Sequence, residues 1–267
     1  MKLLKNKKLK TALAAVILSA VVMLTSCGNN GGSSSEKTNT ATADSSDLYV
    51  LDQKTIDSPD WVTGLPEAKD ENNKQLFVIG AMGDDLTTAT VSMNERDENG
   101  EWKQILSTPA YVGMKGMCED KDRVAGNKKT PMGTYHFTKA FGIADDPGCA
   151  MPYTKVNEDI YWSGDDREGM HYNEMVNIKD FPDLNTEDSE RIVDYEYEYR
   201  YCLNISFNEE GTPGRGSAIF LHCLGTKKPY TGGCVAVPEY IMKMIMQRVD
   251  PDCVVVIGLF DDMGGSF

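Results

Sequence analysis

Hydrophobic and polar positions divide this chain into regimes of different character. Thr11–Leu24 is a predominantly apolar run of fourteen residues. Gly28 to about Asp47 is Gly, Ser, Asn, Thr and Ala with a few charges, a composition that cannot bury enough apolar surface to offset its chain entropy. Asp47–Asn73 stays polar and turn-rich, with Tyr49, Leu51, Ile56 and Trp61 available for docking. From about Lys74 the pattern is that of strands. Leu76–Gly80, Ala89–Met93, Trp102–Leu106 and Ala110–Gly113 are short apolar or alternating runs, and Asn94–Gly100 reads as a hairpin turn. A strand follows Lys128–Tyr135 and runs to Gly142, and another covers Tyr199–Phe207. The acid-rich Asp180–Glu198 reads as a solvated face, with a short helix near Glu187–Val193. Ile241, Met244, Ile245 and Val249 recur at helical spacing behind Pro238. Cys253–Leu259 reads as a buried last strand before a glycine-rich tail. Strands parted by Gly, Asn and Asp turns predict a mainly β, sandwich-like domain with a few short helices. The division expected is 1–26 as a leader, 27–73 as a linker and 74–267 as one domain with an adequate core.

The start of the chain adds a compartment. Met1–Lys10 holds five lysines and no acid, the apolar run follows, and Leu24-Thr25-Ser26-Cys27 closes it. Fourteen residues fall short of the roughly 20 that a membrane span requires, so the pattern is that of a secretory signal. Ending on a cysteine, it resembles a bacterial lipobox. That implies cleavage before Cys27, lipid on Cys27, and an extracytoplasmic protein tethered to the membrane facing the wall. The formal charge of −14 becomes about −19 without the signal lysines, which argues against nucleic acid as a partner. Seven cysteines in an exported chain permit disulfides, with Cys118 and Cys149 a candidate loop bridge.

The chemistry concentrates in Ser217–Val237. An apolar strand ends on His222, one of three histidines, and a loop leads to Thr231-Gly232-Gly233-Cys234 twelve residues later. The thiolate is the reactive form of cysteine, and an adjacent imidazole favours it. Paired glycines let the backbone turn tightly and approach a substrate. Cys223 is the rival nucleophile, but it follows His222 in a strand and should face the other way. His136 and His171 read as structural or surface histidines. No spacing matches a zinc site, so no metal and no cofactor are expected.

His222 with Thr231-Gly232-Gly233-Cys234 resembles the signature of the L,D-transpeptidases, the YkuD-like catalytic domain. Lys129-Thr130-Pro131-Met132-Gly133 and the Trp162, Asp165, Tyr172-Asn173 set resemble other segments of that family. The resemblance implies an L,D-transpeptidase-like β-sandwich, peptidoglycan stem peptides as substrate, and a role in cell-wall organisation and cell shape. It implies Cys234 as acyl-accepting nucleophile, His222 as base, and Thr231, Gly232 and Gly233 as the turn that binds substrate and oxyanion. Many members carry Arg or Asn two residues after the cysteine; Ala236 stands there, so that positioning group is missing or supplied elsewhere. A monomer is expected. An L,D-carboxypeptidase using the same thioester, and an inactive wall-binding lipoprotein, remain alternatives.

Overall fold

The structure, a computed structural model, describes residues 55–266. The expected signal peptide, the expected lipidation at Cys27 and the part of the expected linker before Thr55 lie outside the described residues. The mainly β architecture expected from the sequence is the one the chain adopts, accompanied among the described residues by three short α-helices.

The strands are β1 (Ile56–Asp57), β2 (Gln75–Ala81), β3 (Thr88–Arg96), β4 (Trp102–Tyr111), β5 (Met117–Glu119), β6 (Thr130–Gly142), β7 (Tyr153–Lys155), β8 (Ile160–Trp162), β9 (Met175–Asn177), β10 (Glu190–Arg191), β11 (Cys202–Ile205), β12 (Phe220–Cys223), β13 (Val235–Val237) and β14 (Val254–Leu259). The principal sheet runs β4-β13-β12-β11-β6-β14-β2-β3, and β3 pairs again with β4, so the two faces of the sandwich belong to one closed sheet. Closure leaves few free edges. Phe77, Ile79, Val91, Met93, Phe137, Leu203, Leu221, Val235 and Ile257 fill the interior, and α3 (Glu239–Met246) adds Ile241, Met242, Ile245 and Met246 to the same core.

β2 shows why an unbroken apolar run belongs here. Phe77 and Ile79 face the interior, whereas Leu76 and Val78 lie under Val62, Leu65 and Ala68 of the N-terminal helices α1 (Asp60–Thr63) and α2 (Pro66–Lys69). A strand covered on both faces has no solvent side to alternate with. β1 pairs with β4, Trp102 Nε1 donates to Ala68 O at 2.8 Å, and Trp61 packs edge-on against Phe260, so residues 56–69 dock on the barrel through both backbone and side chains.

Three local expectations are corrected. Asn94 is not in a turn: β3 continues to Arg96, and Asn94 is fully buried, with its carbonyl oxygen accepting from Ser58 and Ser92 hydroxyls. Compensated hydrogen bonding makes a buried amide tolerable where polarity alone suggested solvent. Residues 187–193 do not form an α-helix; β10 and a 3₁₀ turn at Ile192–Asp194 occupy that stretch. Ile192 is instead buried in the cluster on the outer face of the barrel. The glycine-rich end is anchored by Phe260, whose carbonyl accepts from Gly265 N–H.

Residues 143–201, between β6 and β11, form an insertion carrying the small sheet β10-β8-β9. It packs on the outer face of β6, β11 and β12. There Phe141, Trp162 and Phe220 meet at centroid distances of 4.7–5.8 Å. Cys234 belongs to this outer cluster, and Cys223 to the barrel interior.

Candidate active site

β12 and β13 are parallel, with Leu221 opposite Val235 and His222 opposite Ala236. Side chains alternate faces along a strand, so Phe220, His222, Ala236 and, one step before β13, Cys234 share the outer face. His222 and Cys234 both line a cavity of about 790 Å³ between the barrel wall and the insertion. Cys223 points to the interior, where its thiol donates to Tyr201 O at 3.7 Å. Burial pushes both thiols up to about 12, so acidity does not separate the two cysteines; access to the cavity does.

The turn into Cys234 is held from three sides. Thr231 Oγ1 donates to Cys234 O at 2.7 Å and accepts from Gly233 N–H at 3.1 Å. Buried Thr130 donates to Gly233 O at 2.7 Å and accepts from Gly113 N–H at 2.9 Å. Thr231 N–H donates to Val112 O, and Met114 N–H donates to Thr231 O. Gly233 has φ +144°, and a Cβ there would meet Lys129 O at 2.9 Å, so glycine is required. The Lys-Thr-Pro segment thus contributes Thr130 as a clamp on the cysteine turn. Gly233 N–H, expected to face an oxyanion, is here engaged by Thr231. Gly232 is exposed and lines the cavity.

Cys234 does not donate to His222 in this state. Its thiol donates to Ala218 O at 3.1 Å, and its sulfur accepts from Phe220 N–H at 3.4 Å. Ala218 has φ +57°, a strained region for a residue with a Cβ. Asn173 helps hold it there: its Oδ1 accepts from Ala218 N–H and from Trp162 Nε1, both at 2.9 Å. Its amide nitrogen donates to Phe207 O and Asn208 O at 3.0 and 2.9 Å. One buried amide therefore ties the insertion to the carbonyl contact of the Cys234 thiol.

His222 Nδ1 lies 2.8 Å from Cys223 O. A carbonyl only accepts, so Nδ1 carries the proton and Nε2 is left with its lone pair. Burial lowers the basicity of this imidazole. Burial thus disfavours both charged forms, the Cys234 thiolate and the His222 imidazolium, and works against the thiolate that an adjacent imidazole favours. Tyr199 packs edge-on against His222 at 5.5 Å and donates its hydroxyl to Glu190 at 2.6 Å.

The cavity also gathers residues that no motif announced. Arg123, buried, and Glu190, inside the acid run read as solvated, both line it. Burial raises the Glu190 carboxyl. Lys128 sits exposed at the cavity edge. His136 and His171 are exposed and face Glu209 and Glu174, away from the cavity lining. Cys118 and Cys149, the candidate bridge, are free thiols: Cys118 lies beside Asn127, while Asp146 bonds the Cys149 backbone.

The family model of the L,D-transpeptidase catalytic domain, YkuD, matches residues 87–257. Among solved structures, the helical cell shape determining protein Pgp2 from Campylobacter jejuni is similar at 13% identity and a TM-score of 0.36, covering 74% of this chain and 54% of that one. A lysine-to-alanine variant of the same protein is similar at 14% identity and a TM-score of 0.36, covering 74% of this chain and 53% of its own. The chain spans about half the length of these structures. No curated protein matches.

Two outcomes follow from the resting geometry. With the Cys234 thiol near 12, its thiolate fraction grows about tenfold per pH unit at neutral pH and above. Iodoacetamide alkylation of Cys234, read by peptide mass, should therefore climb without a plateau from pH 7 to 10; a plateau below pH 8 would reveal a preformed thiolate–imidazolium pair. Asn173→Ala leaves Trp162 Nε1 and Ala218 N–H without their acceptor, and should lower the unfolding free energy by about 2–4 kcal/mol. Denaturant titration checks this, and a change under 1 kcal/mol would contradict the account of Asn173.

Proposed function

Because this chain belongs to the L,D-transpeptidase catalytic-domain family, we infer that it is an exported cysteine L,D-transpeptidase acting on peptidoglycan stem peptides. The observation that carries this reading is the shared outer face of β12 and β13, which sets Cys234 and His222 in one cavity.

The reaction is two acyl transfers. When a stem tetrapeptide binds, the Cys234 thiol leaves Ala218 O and passes its proton to His222 Nε2. The sulfur attacks the carbonyl carbon of the third, diaminoacyl residue. Negative charge then gathers on the carbonyl oxygen beside the Cys234 backbone N–H, the donor at the nucleophile not engaged by Thr231. Gly233 N–H joins it if Thr231 releases the bond. The C–N bond breaks, His222 returns the proton to the departing amine, and the terminal D-residue leaves, giving a thioester on Cys234. A side-chain amine of a second stem attacks that thioester and gives up a proton through His222. Its product is an amide cross-link between third-position residues and a regenerated thiol. Attack by water instead gives an L,D-carboxypeptidase.

One observation favours a second reading. The neutral thiol held on Ala218 O suits a wall-binding protein without turnover. Intact-mass spectrometry of the full-length chain with a stem tetrapeptide separates the two. A covalent adduct on the parent and none on Cys234→Ala is the expected result. No adduct on a folded, reduced parent favours the binding protein, and an adduct surviving on Cys234→Ala removes Cys234 from the mechanism.

The lipobox-like Leu24–Cys27 supports a lipid anchor at Cys27, with residues 28–47 as a tether reaching toward the wall. Among the described residues no helix is long and apolar enough to cross a membrane. In cell fractionation the parent should sediment with membranes and Cys27→Ala should lose that association; unaltered sedimentation would argue against the anchor.

A further inference from the structure

Arg123 follows the 3₁₀ turn Asp120–Asp122, and its side chain turns inward until only 4% remains exposed. A guanidinium stays charged under such conditions, and a buried charge is costly unless it is paired. Among the described residues Arg123 has no ion-pair partner. The nearby Asp120 carboxylate is held by Arg215 at 2.6 Å. Arg123 Nη1 donates to the Val124 carbonyl, and Nε has no partner at all. The titratable groups that bear on it among the described residues are the thiols of Cys118 and Cys234 and the phenol of Tyr172, which burial holds in their neutral forms.

The location makes this charge useful. Arg123 lines the cavity that holds Cys234 and His222. Its guanidinium fits against glycine on two sides: a Cβ at Gly216 would lie 2.8 Å from Nη1, and one at Gly233 would lie 3.3 Å from Nη2. Gly233 adjoins the nucleophile, so the fork sits beside the scissile position. By contrast, Lys128 and Lys228 at the same cavity are exposed and solvated. A buried fork with unmet donors fits a carboxylate, which accepts in the same plane.

This inference rests on the acyl-transfer reading. In the tetrapeptide, the carboxylate carbon of the leaving residue lies three bonds from the carbonyl carbon that Cys234 attacks. A cation that binds it must therefore adjoin the nucleophile, as Arg123 does. We propose that Arg123 binds the α-carboxylate of the departing C-terminal residue and so selects stems that end one residue beyond the scissile bond. It supplies, from the loop before β6, a positioning cation where Ala236 has none.

The test compares acylation of the full-length parent, Arg123→Gln and Arg123→Lys by a stem tetrapeptide and by its C-terminal carboxamide, followed by intact mass. Charge-assisted hydrogen bonds of this kind predict a roughly 10- to 100-fold preference of the parent for the free acid. In Arg123→Gln the acid-to-amide ratio should fall toward one, and Arg123→Lys should retain part of it. An unaltered ratio, with both rates lowered together, would overturn the proposal and leave Arg123 a structural role. If Arg123→Gln does not fold, Arg123→Lys decides: an undiminished preference would overturn the need for the fork. A second readout does not depend on turnover. Alkylation of Cys234 by iodoacetate relative to iodoacetamide should exceed the ratio for free cysteine in the parent and return to it in Arg123→Gln. If the parent acylates with neither peptide, the acyl-transfer reading fails and the substrate assignment with it. The alkylation ratio then reports separately whether an anion site exists, and a parent ratio equal to that of free cysteine would remove the site as well.

Discussion

The parallel pairing of β12 with β13 is the constraint on which the site depends. Parallel strands cannot be joined by a tight hairpin, so the chain must leave β12 after His222-Cys223, cross over, and re-enter beside its own start. That crossover is residues 224–234, and its last residue is Cys234. The register of His222 with Ala236 puts the cysteine two positions down the same face as the histidine. A slip of one residue would turn Cys234 into the barrel interior and Val235 into the cavity. Thr130 and Thr231 guard against that slip by holding both carbonyls of the turn.

Placing the pair on a covered face has an electrostatic consequence. The aromatic cluster of Phe141, Trp162, Tyr199 and Phe220 excludes water from the outer wall, and desolvation favours the neutral forms of both thiol and imidazole. The thiol finds an acceptor in Ala218 O, presented by a strained backbone that Asn173 helps hold in place. Strain of this sort persists only where surrounding bonds over-determine it. The insertion is therefore part of the site: it supplies Trp162 and Asn173, and it walls the cavity with Glu190 and Tyr199.

Much of the frame was legible in the sequence because local periodicity encodes it. β2, α3 and β14 lie where apolar runs and helical spacing placed them, and β6 ends where expected at Gly142 but begins earlier, at Thr130. The separation of Cys223 from Cys234 followed from strand alternation. Asn94 and Glu190 were misread because polarity reports solvent only when no partner is available: Asn94 meets Ser58 from 36 residues away, and Glu190 meets Tyr199 across the cavity wall.

By itself the sequence determined that strands dominate, that a histidine and a glycine-preceded cysteine stand twelve residues apart, and that Thr-Gly-Gly forms their turn. These are properties of residue type and short-range spacing. Tertiary structure alone decided that the sheet closes, that the Cys234 thiol rests on Ala218, that Asn173 joins the insertion to it, and that Arg123 lies uncompensated against the turn before Cys234. Each of these depends on groups distant in the chain competing for burial and for hydrogen-bond partners, and no local pattern records the outcome of that competition.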